Sequence, residues 1–301
     1  MKFRIAVVAA IVTLMSVPNV SADVMIKSKV LMSILGAGST ETSRTEYFRN
    51  DRTYAESYST PVSGLMARLN NKPQKIVTVT RLDKGVIWSL NEQEKGYMET
   101  PLDTIKARME GNGTKAIKSP LLGTSTNPED YKWRVTIKKI TEPTRMGWAE
   151  CTGLIAKGIG VNRTNENDKV LITYEQWFAD IVPGKAVYDT YQDSVKKVLG
   201  SDSFAEQKQV ASMLSVLGDE FEPIFDSLKS FTGVPIKLNF TVEKSTLFGF
   251  TEEQYDKGLA DSSNQQLQRI NNMIGGKPPK TEDGMFKSFS IESDVSKIEG
   301  R

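Results

Sequence analysis

The feature that most restricts the fold is a set of short polar turns between consecutive strand-forming runs. Runs at residues 76–82, 86–90 and 97–100 are separated only by Asp83-Lys84-Gly85 and by residues 91–96. Turns this short join antiparallel neighbours, because a parallel pair needs a crossover of about a dozen residues or more. The spacing therefore predicts an antiparallel meander and argues against a nucleotide-binding Rossmann domain.

Further strand-forming segments flank this meander. Residues 23–58 are rich in Thr, Ser, Tyr and β-branched side chains, and Gly36-Ala37-Gly38 divides them, which predicts three strands. In residues 131–138, apolar and polar side chains alternate, as on a sheet with one buried face. Strands are also expected at residues 147–161, 169–180 and 234–243.

A helical block interrupts the strands at residues 185–229. Apolar side chains between positions 187 and 199 recur at the spacing of one helical face, and Gly200 ends that helix. Residues 248–280 are polar and are expected to be an insertion with two weak helices between two paired strands. The pattern predicts an α+β protein in which residues 23–301 form a single β-rich domain.

The first 22 residues have the pattern of a secretory signal peptide. Lys2 and Arg4 precede an apolar stretch at residues 5–15, and Val20-Ser21-Ala22 offers small or compact side chains to a signal peptidase. The stretch is too short to span a bilayer as a helix, so the protein is not expected to be membrane-spanning. Cleavage near Ala22 is expected to leave a periplasmic or secreted protein.

Composition argues against several classes of function. The chain has no histidine, which removes Ser-His-Asp triads, Cys-His pairs and histidine-containing metal sites. Its one cysteine, Cys151, is expected to be a small buried side chain. Without Lys2 and Arg4 the mature chain has 37 basic and 37 acidic residues, so no nucleic-acid partner is expected. No catalytic, cofactor-binding or metal-binding residue is predicted, although a hydrolase that works without histidine stays an alternative.

Five short segments resemble the strand-and-turn pattern of one group of bacterial envelope proteins. They include a strand with basic residues, a hairpin with Asp83, Gly85 and Trp88, and a Gly-Val-Pro strand start at Gly233. The segments are residues 47–52, 81–90, 95–99, 174–180 and 232–236. The chain is thus similar to a periplasmic family of unknown function whose architecture resembles that of the lipoprotein-sorting carriers. The resemblance implies an incomplete β-barrel, or curved antiparallel β-sheet, packed on a helical layer.

The resemblance also implies an apolar concavity and a non-catalytic binding protein for a hydrophobic or lipid-like ligand. Arg49 and Arg52 are candidates for binding an anionic headgroup or a partner carboxylate, although a solvated strand face would have the same pattern. One apolar face of the helical block is the candidate ligand-binding surface, although ordinary core would also have this composition. That face consists of Met213, Leu214, Leu217, Phe221, Phe225 and Leu228.

A competing hypothesis is a cell-envelope protein-interaction module with a fully packed interior and no ligand. A cavity of at least about 300 Å³ lined by residues 213–228 would favour the carrier. A filled interior would favour the module, whose partner would be another envelope protein.

Overall fold

The computed structural model describes residues 24–69, 72–92, 95–111, 128–200, 214, 218–261 and 263–300. Eleven strands within these residues form one antiparallel sheet in the order β6-β5-β4-β3-β2-β1-β11-β10-β9-β8-β7. The predicted antiparallel sheet is confirmed. The strands are β1 (Val24–Ile34), β2 (Gly38–Arg49), β3 (Arg52–Pro61), β4 (Gln74–Arg81), β5 (Val86–Asn91), β6 (Gly96–Pro101), β7 (Tyr131–Met146), β8 (Ala149–Asn162), β9 (Lys169–Ala179), β10 (Val234–Lys244) and β11 (Phe286–Gly300).

The sheet is open, because its two edge strands, β6 and β7, do not pair with each other. They are consecutive in the chain but lie at opposite ends of the strand order. Strands β1 and β11 pair in the middle of the sheet, with Val24 opposite Gly300. This pair joins two halves of the sheet, β1 to β6 and β7 to β11. Within each half, neighbouring strands are consecutive in the sequence. The short turns within residues 76–100 join β4, β5 and β6 as antiparallel neighbours, as predicted.

Strand β7 confirms the clearest alternation in the sequence. Tyr131 and Trp133 are buried, whereas Lys132 and Arg134 are exposed. Trp133 lies over Gly160 of β8, where a Cβ atom would approach the indole ring to 2.8 Å. Because this glycine has no side chain, the neighbouring strand has room for the tryptophan.

The helices within the described residues contact different parts of the sheet. They are α1 (Gly64–Leu69), α2 (Leu102–Gly111), α3 (Lys185–Leu199), α4 (Glu222–Leu228), α5 (Glu252–Ala260) and α6 (Gln265–Ile274). Helix α3 contacts β1 and β2, α4 contacts β8, and α1 contacts β2 and β3. The described part of the chain is therefore dominated by its sheet and does not show the predicted helical layer. Across the described residues, no helix is long and apolar enough to cross a membrane.

Two hydrophobic clusters lie between the sheet and these helices. The first joins strands β7 to β11 to Leu214, Phe221 and Ile224 of the helical block. The second joins β1, β2 and β10 to the buried side of α3 and includes Cys151. Cys151 is 1% exposed, which confirms the prediction that it is buried, and burial raises the pKa of its thiol.

A third, smaller cluster belongs to the predicted insertion. Helices α5 and α6 bury Tyr255 and Leu267 against Leu247 and Phe286 at the ends of β10 and β11. The insertion therefore carries its own small core and connects two strands that pair with each other. The predicted signal peptide, Met213 and Leu217 lie outside the described residues.

Candidate ligand-binding site

A cavity of about 240 Å³ lies between α3 and the face of the sheet that α3 covers, called here the inner face. Strands from both halves of the sheet contribute to its wall. The lining residues are Ile26, Ser28, Arg44, Glu46, Phe48, Thr53, Thr78, Thr80, Ile87, Gln176, Tyr188, Tyr191, Gln192, Val234, Pro235, Ile236, Lys237, Leu238, Ser293 and Val295.

Strand geometry explains which side chains of β2 reach the cavity. Arg44, Glu46 and Phe48 are two residues apart, so all three point to the inner face. Their register partners on β1 are Ser28, Ile26 and Val24. The intervening side chains, such as Thr45, point to the opposite, outer face.

Helix α3 covers the cavity with two tyrosines one turn apart. Tyr188 and Tyr191 lie on the same side of the helix because residues i and i+3 are neighbours on a helical surface. The ring of Phe48 packs edge-on against both, with centroid separations of 5.4 Å in each case. Gly184 and Gly200 flank the helix with positive φ angles of 71° and 73°, conformations that favour glycine.

The polar part of the wall centres on Arg44 and Glu46. Arg44 Nη2 donates a hydrogen bond to Glu46 Oε1 at 2.7 Å. Burial raises the pKa of Tyr191, and hydrogen bonds from Thr53 and Thr80 offset part of that rise. Burial also raises the pKa of Tyr188, and the negative charge of Glu46 raises it further.

One polar atom in this wall has no partner in the described part of the chain. Arg44 Nε is buried and finds no hydrogen-bond acceptor among the described residues. A guanidinium Nε can only donate, so this atom requires an acceptor. Buried donors without partners are rare in folded proteins and each calls for an explanation.

The rest of the wall combines apolar side chains with hydroxyl and amide groups such as those of Thr53 and Gln176. Side chains from β1, β2, β5, β10 and β11 present hydrocarbon to the same space: Ile26, Phe48, Ile87, Val234, Ile236, Leu238 and Val295. The cavity is therefore amphipathic. Its volume lies just below the range of about 300–1,000 Å³ that is usual for small-molecule sites.

The helical-block residues that were predicted to bind a ligand lie elsewhere. Leu214 and Phe221 are fully buried, and the Phe221 ring packs edge-on against Trp133 at a centroid distance of 5.1 Å. Phe225 and Leu228 pack against the same cluster. None of these four side chains lines the cavity, which therefore does not meet the criterion of about 300 Å³ lined by residues 213–228. Their role in ligand binding stays a prediction.

Arg49 and Arg52 lie outside the cavity as well. They face each other across the β2–β3 hairpin, on the outer face of the sheet. Arg52 forms an ion pair with Asp51, with Nε 2.8 Å from Oδ1. Their proposed contact with a headgroup or partner stays a prediction.

Sequence reasoning missed Arg44, Glu46, Tyr188 and Tyr191 as candidate site residues. The two tyrosines belong to the apolar face that predicted α3, which is a signal for burial but not for a cavity. No group of three or more acidic or cysteine side chains within the described ranges is arranged to hold a metal ion. The chain has no significant match among protein-family models, curated proteins or solved structures.

Proposed function

We propose that this protein binds a hydrophobic or lipid-like ligand, without catalysis, in the cavity beneath α3. The observation that carries this proposal is the amphipathic lining, in which Ile26, Leu238 and Val295 share one space with Arg44 and Glu46. Apolar walls with a few placed polar groups are typical of small-molecule sites, because hydrocarbon supplies affinity and polar groups fix orientation. We place the protein in the periplasm, as its N-terminal sequence predicts.

The lining also supports a sheet that curves as an incomplete barrel. Ile87 of β5 and Gln176 of β9 line the same cavity although seven strand spacings separate their strands. A flat sheet would place β5 and β9 about 34 Å apart, at about 4.8 Å per spacing. Residues that far apart could not line one cavity of about 240 Å³. Curvature would bring the two halves of the sheet together around the ligand.

Native mass spectrometry tests the proposal on protein purified without detergent. We expect an additional mass that organic extraction removes and that is identified as a lipid or other amphiphile. The variant Thr78→Trp places an indole in the cavity from β4 and is expected to abolish the additional mass. Thr45→Trp is the matched control, because it makes the same replacement on the outer face of β2.

Two results would contradict the proposal. One is a mass equal to that of the bare chain, with no uptake when lipid is added back. The other is equal ligand content in the Thr78→Trp and Thr45→Trp variants, because a ligand beneath α3 cannot share its space with a tryptophan.

A further inference from the structure

Two buried side-chain atoms lack hydrogen-bond partners among the described residues, Arg44 Nε and Asn239 Oδ1. Only Arg44 lines the cavity. Leaving a buried donor unpaired is unfavourable, more so when the donor is charged. The unpaired Nε therefore marks the position at which a ligand atom would relieve that cost.

The missing partner must be an acceptor, and Glu46 limits its charge. Glu46 already pairs with the same guanidinium at 2.7 Å and compensates its positive charge. A ligand carboxylate would bring a second negative charge next to Glu46, and like charges at short range disfavour one another. An uncharged oxygen would accept the hydrogen bond without that repulsion.

We propose that the ligand presents an uncharged carbonyl oxygen of an ester or amide to Arg44 Nε, with its hydrocarbon along Ile26, Phe48 and Val295. This inference rests on the proposed function and specifies the chemical class of the ligand, an acyl ester or acyl amide. Phe48 and Glu46 are neighbours on the inner face of β2, so the polar head and the chain would occupy adjacent parts of one wall.

The cavity volume sets the size of a suitable probe. About 240 Å³ corresponds to roughly eight water molecules at about 30 Å³ each. Methyl hexanoate, which has an acyl ester head and a short chain, matches this size. Hexanoate carries the same chain with a charged head, and 1-chlorohexane carries it without an oxygen acceptor.

Binding of the three probes to the full chain is measured by NMR titration at pH 7. We expect methyl hexanoate to bind at least about tenfold more tightly than 1-chlorohexane, the effect of one hydrogen bond from a charged donor. We also expect it to bind more tightly than hexanoate, whose negative charge Glu46 repels. The Nε–Hε signal of Arg44 is expected to move with methyl hexanoate and to stay in place with 1-chlorohexane.

A charge change at Glu46 gives the sharpest test. Glu46→Gln keeps the shape of the side chain and leaves the Arg44 charge uncompensated, so hexanoate is expected to become the tighter ligand. Glu41→Gln is the matched control, because Glu41 lies on the outer face of the same strand and pairs with Lys29. In Arg44→Met the preference for the ester over 1-chlorohexane is expected to disappear.

The outcomes separate this inference from the proposed function. Equal binding of ester and carboxylate to the wild-type chain, or an Arg44 Nε–Hε signal that does not respond to the bound ester, overturns the inference and leaves the cavity as a binding site. An unchanged preference in a folded Glu46→Gln variant also overturns it. If none of the three probes binds, and the purified chain carries no additional mass, both the inference and the proposed function fail. The wild-type measurements decide the question even if a variant does not fold.

Discussion

Lys244, at the end of β10, is a half-buried basic residue whose amine has a lowered pKa. Burial lowers the pKa of its amine to about 8, although the negative charge of Asp168 opposes the shift. Asp168 has several other partners, since it accepts hydrogen bonds from Tyr131 at 2.5 Å and from Asn162 at 3.1 Å. Its charge is therefore shared and only partly compensates the lysine.

Lys244 is expected to make stability depend on pH. Between about pH 8 and 10.5 the amine is neutral in the folded chain and protonated in the unfolded chain, so the unfolded state binds more protons. The free energy of unfolding therefore rises with pH across this window, by at most about 3 kcal/mol. Urea unfolding at several pH values should show this rise in the wild type relative to Lys244→Met. Parallel profiles for the two proteins would contradict the prediction.

Phe221 tests whether the helical-block face is core or binding surface. It is fully buried against Trp133, and a Cβ atom at Gly158 would lie 2.8 Å from its ring. Phe221→Ala is therefore expected to lower the free energy of unfolding by about 3–5 kcal/mol. Ligand content below the unfolding transition is expected to stay unchanged. Loss of ligand with little loss of stability would instead show that this face binds it.

The residues of the candidate site could not be read from the sequence because β2 is polar on both faces. Thr42, Arg44 and Glu46 alternate with Ser43 and Thr45, so hydrophobicity does not reveal which set points inward. Only the register with β1 and the position of α3 decide this. In β7, by contrast, one face is apolar and the sequence alone predicts which side chains are buried.

At the scale of elements, β7 is an edge strand that has to avoid pairing with other chains. It is 16 residues long, and an edge of that length is a template for further strands. Exposed Lys132, Arg134, Lys138 and Lys139 lie along it, and exposed Pro143 lies within its irregular part. Charges and prolines of this kind are common protection for edge strands.

Removing that protection is expected to cause association of the folded protein. In Lys132→Val/Arg134→Val we expect light scattering to show oligomers at concentrations where the wild type is monodisperse. The matched control is Lys27→Val/Lys29→Val, which removes two exposed lysines from the central strand β1. Equal association of both variants would mean that lost charge, rather than the open edge, is responsible.

The ends of elements were harder to predict than their presence. Strand β7 was expected to end at residue 138 but continues to Met146. The pairing with β8 shifts between Ile140 and Thr144, where Pro143 cannot donate a backbone hydrogen bond. Local residue preferences favour the end of the strand at this position, but pairing with β8 resumes at Thr144 and extends β7 to Met146.

At the scale of the whole molecule, the order of the strands was only partly predictable. Short turns identify sequential neighbours such as β4, β5 and β6, because the connections leave no alternative. The pairing of β1 with β11 has no local signal, since about 250 residues separate the two strands. The amphipathic cavity depends on that pairing, because it joins the two halves whose residues line it.

The same central pairing has a consequence in time. Until β11 is available, β1 has a neighbour on one side only and presents an unpaired edge in the middle of the future sheet. At about 5–20 residues per second, the interval between synthesis of β1 and of β11 is roughly 10–50 s. The half formed by β1 to β6 can fold early from local hairpins, whereas closure of the centre must await the last strand. A newly made chain therefore passes through a stage in which the backbone of β1, which is later paired on both sides, has one side without a partner strand.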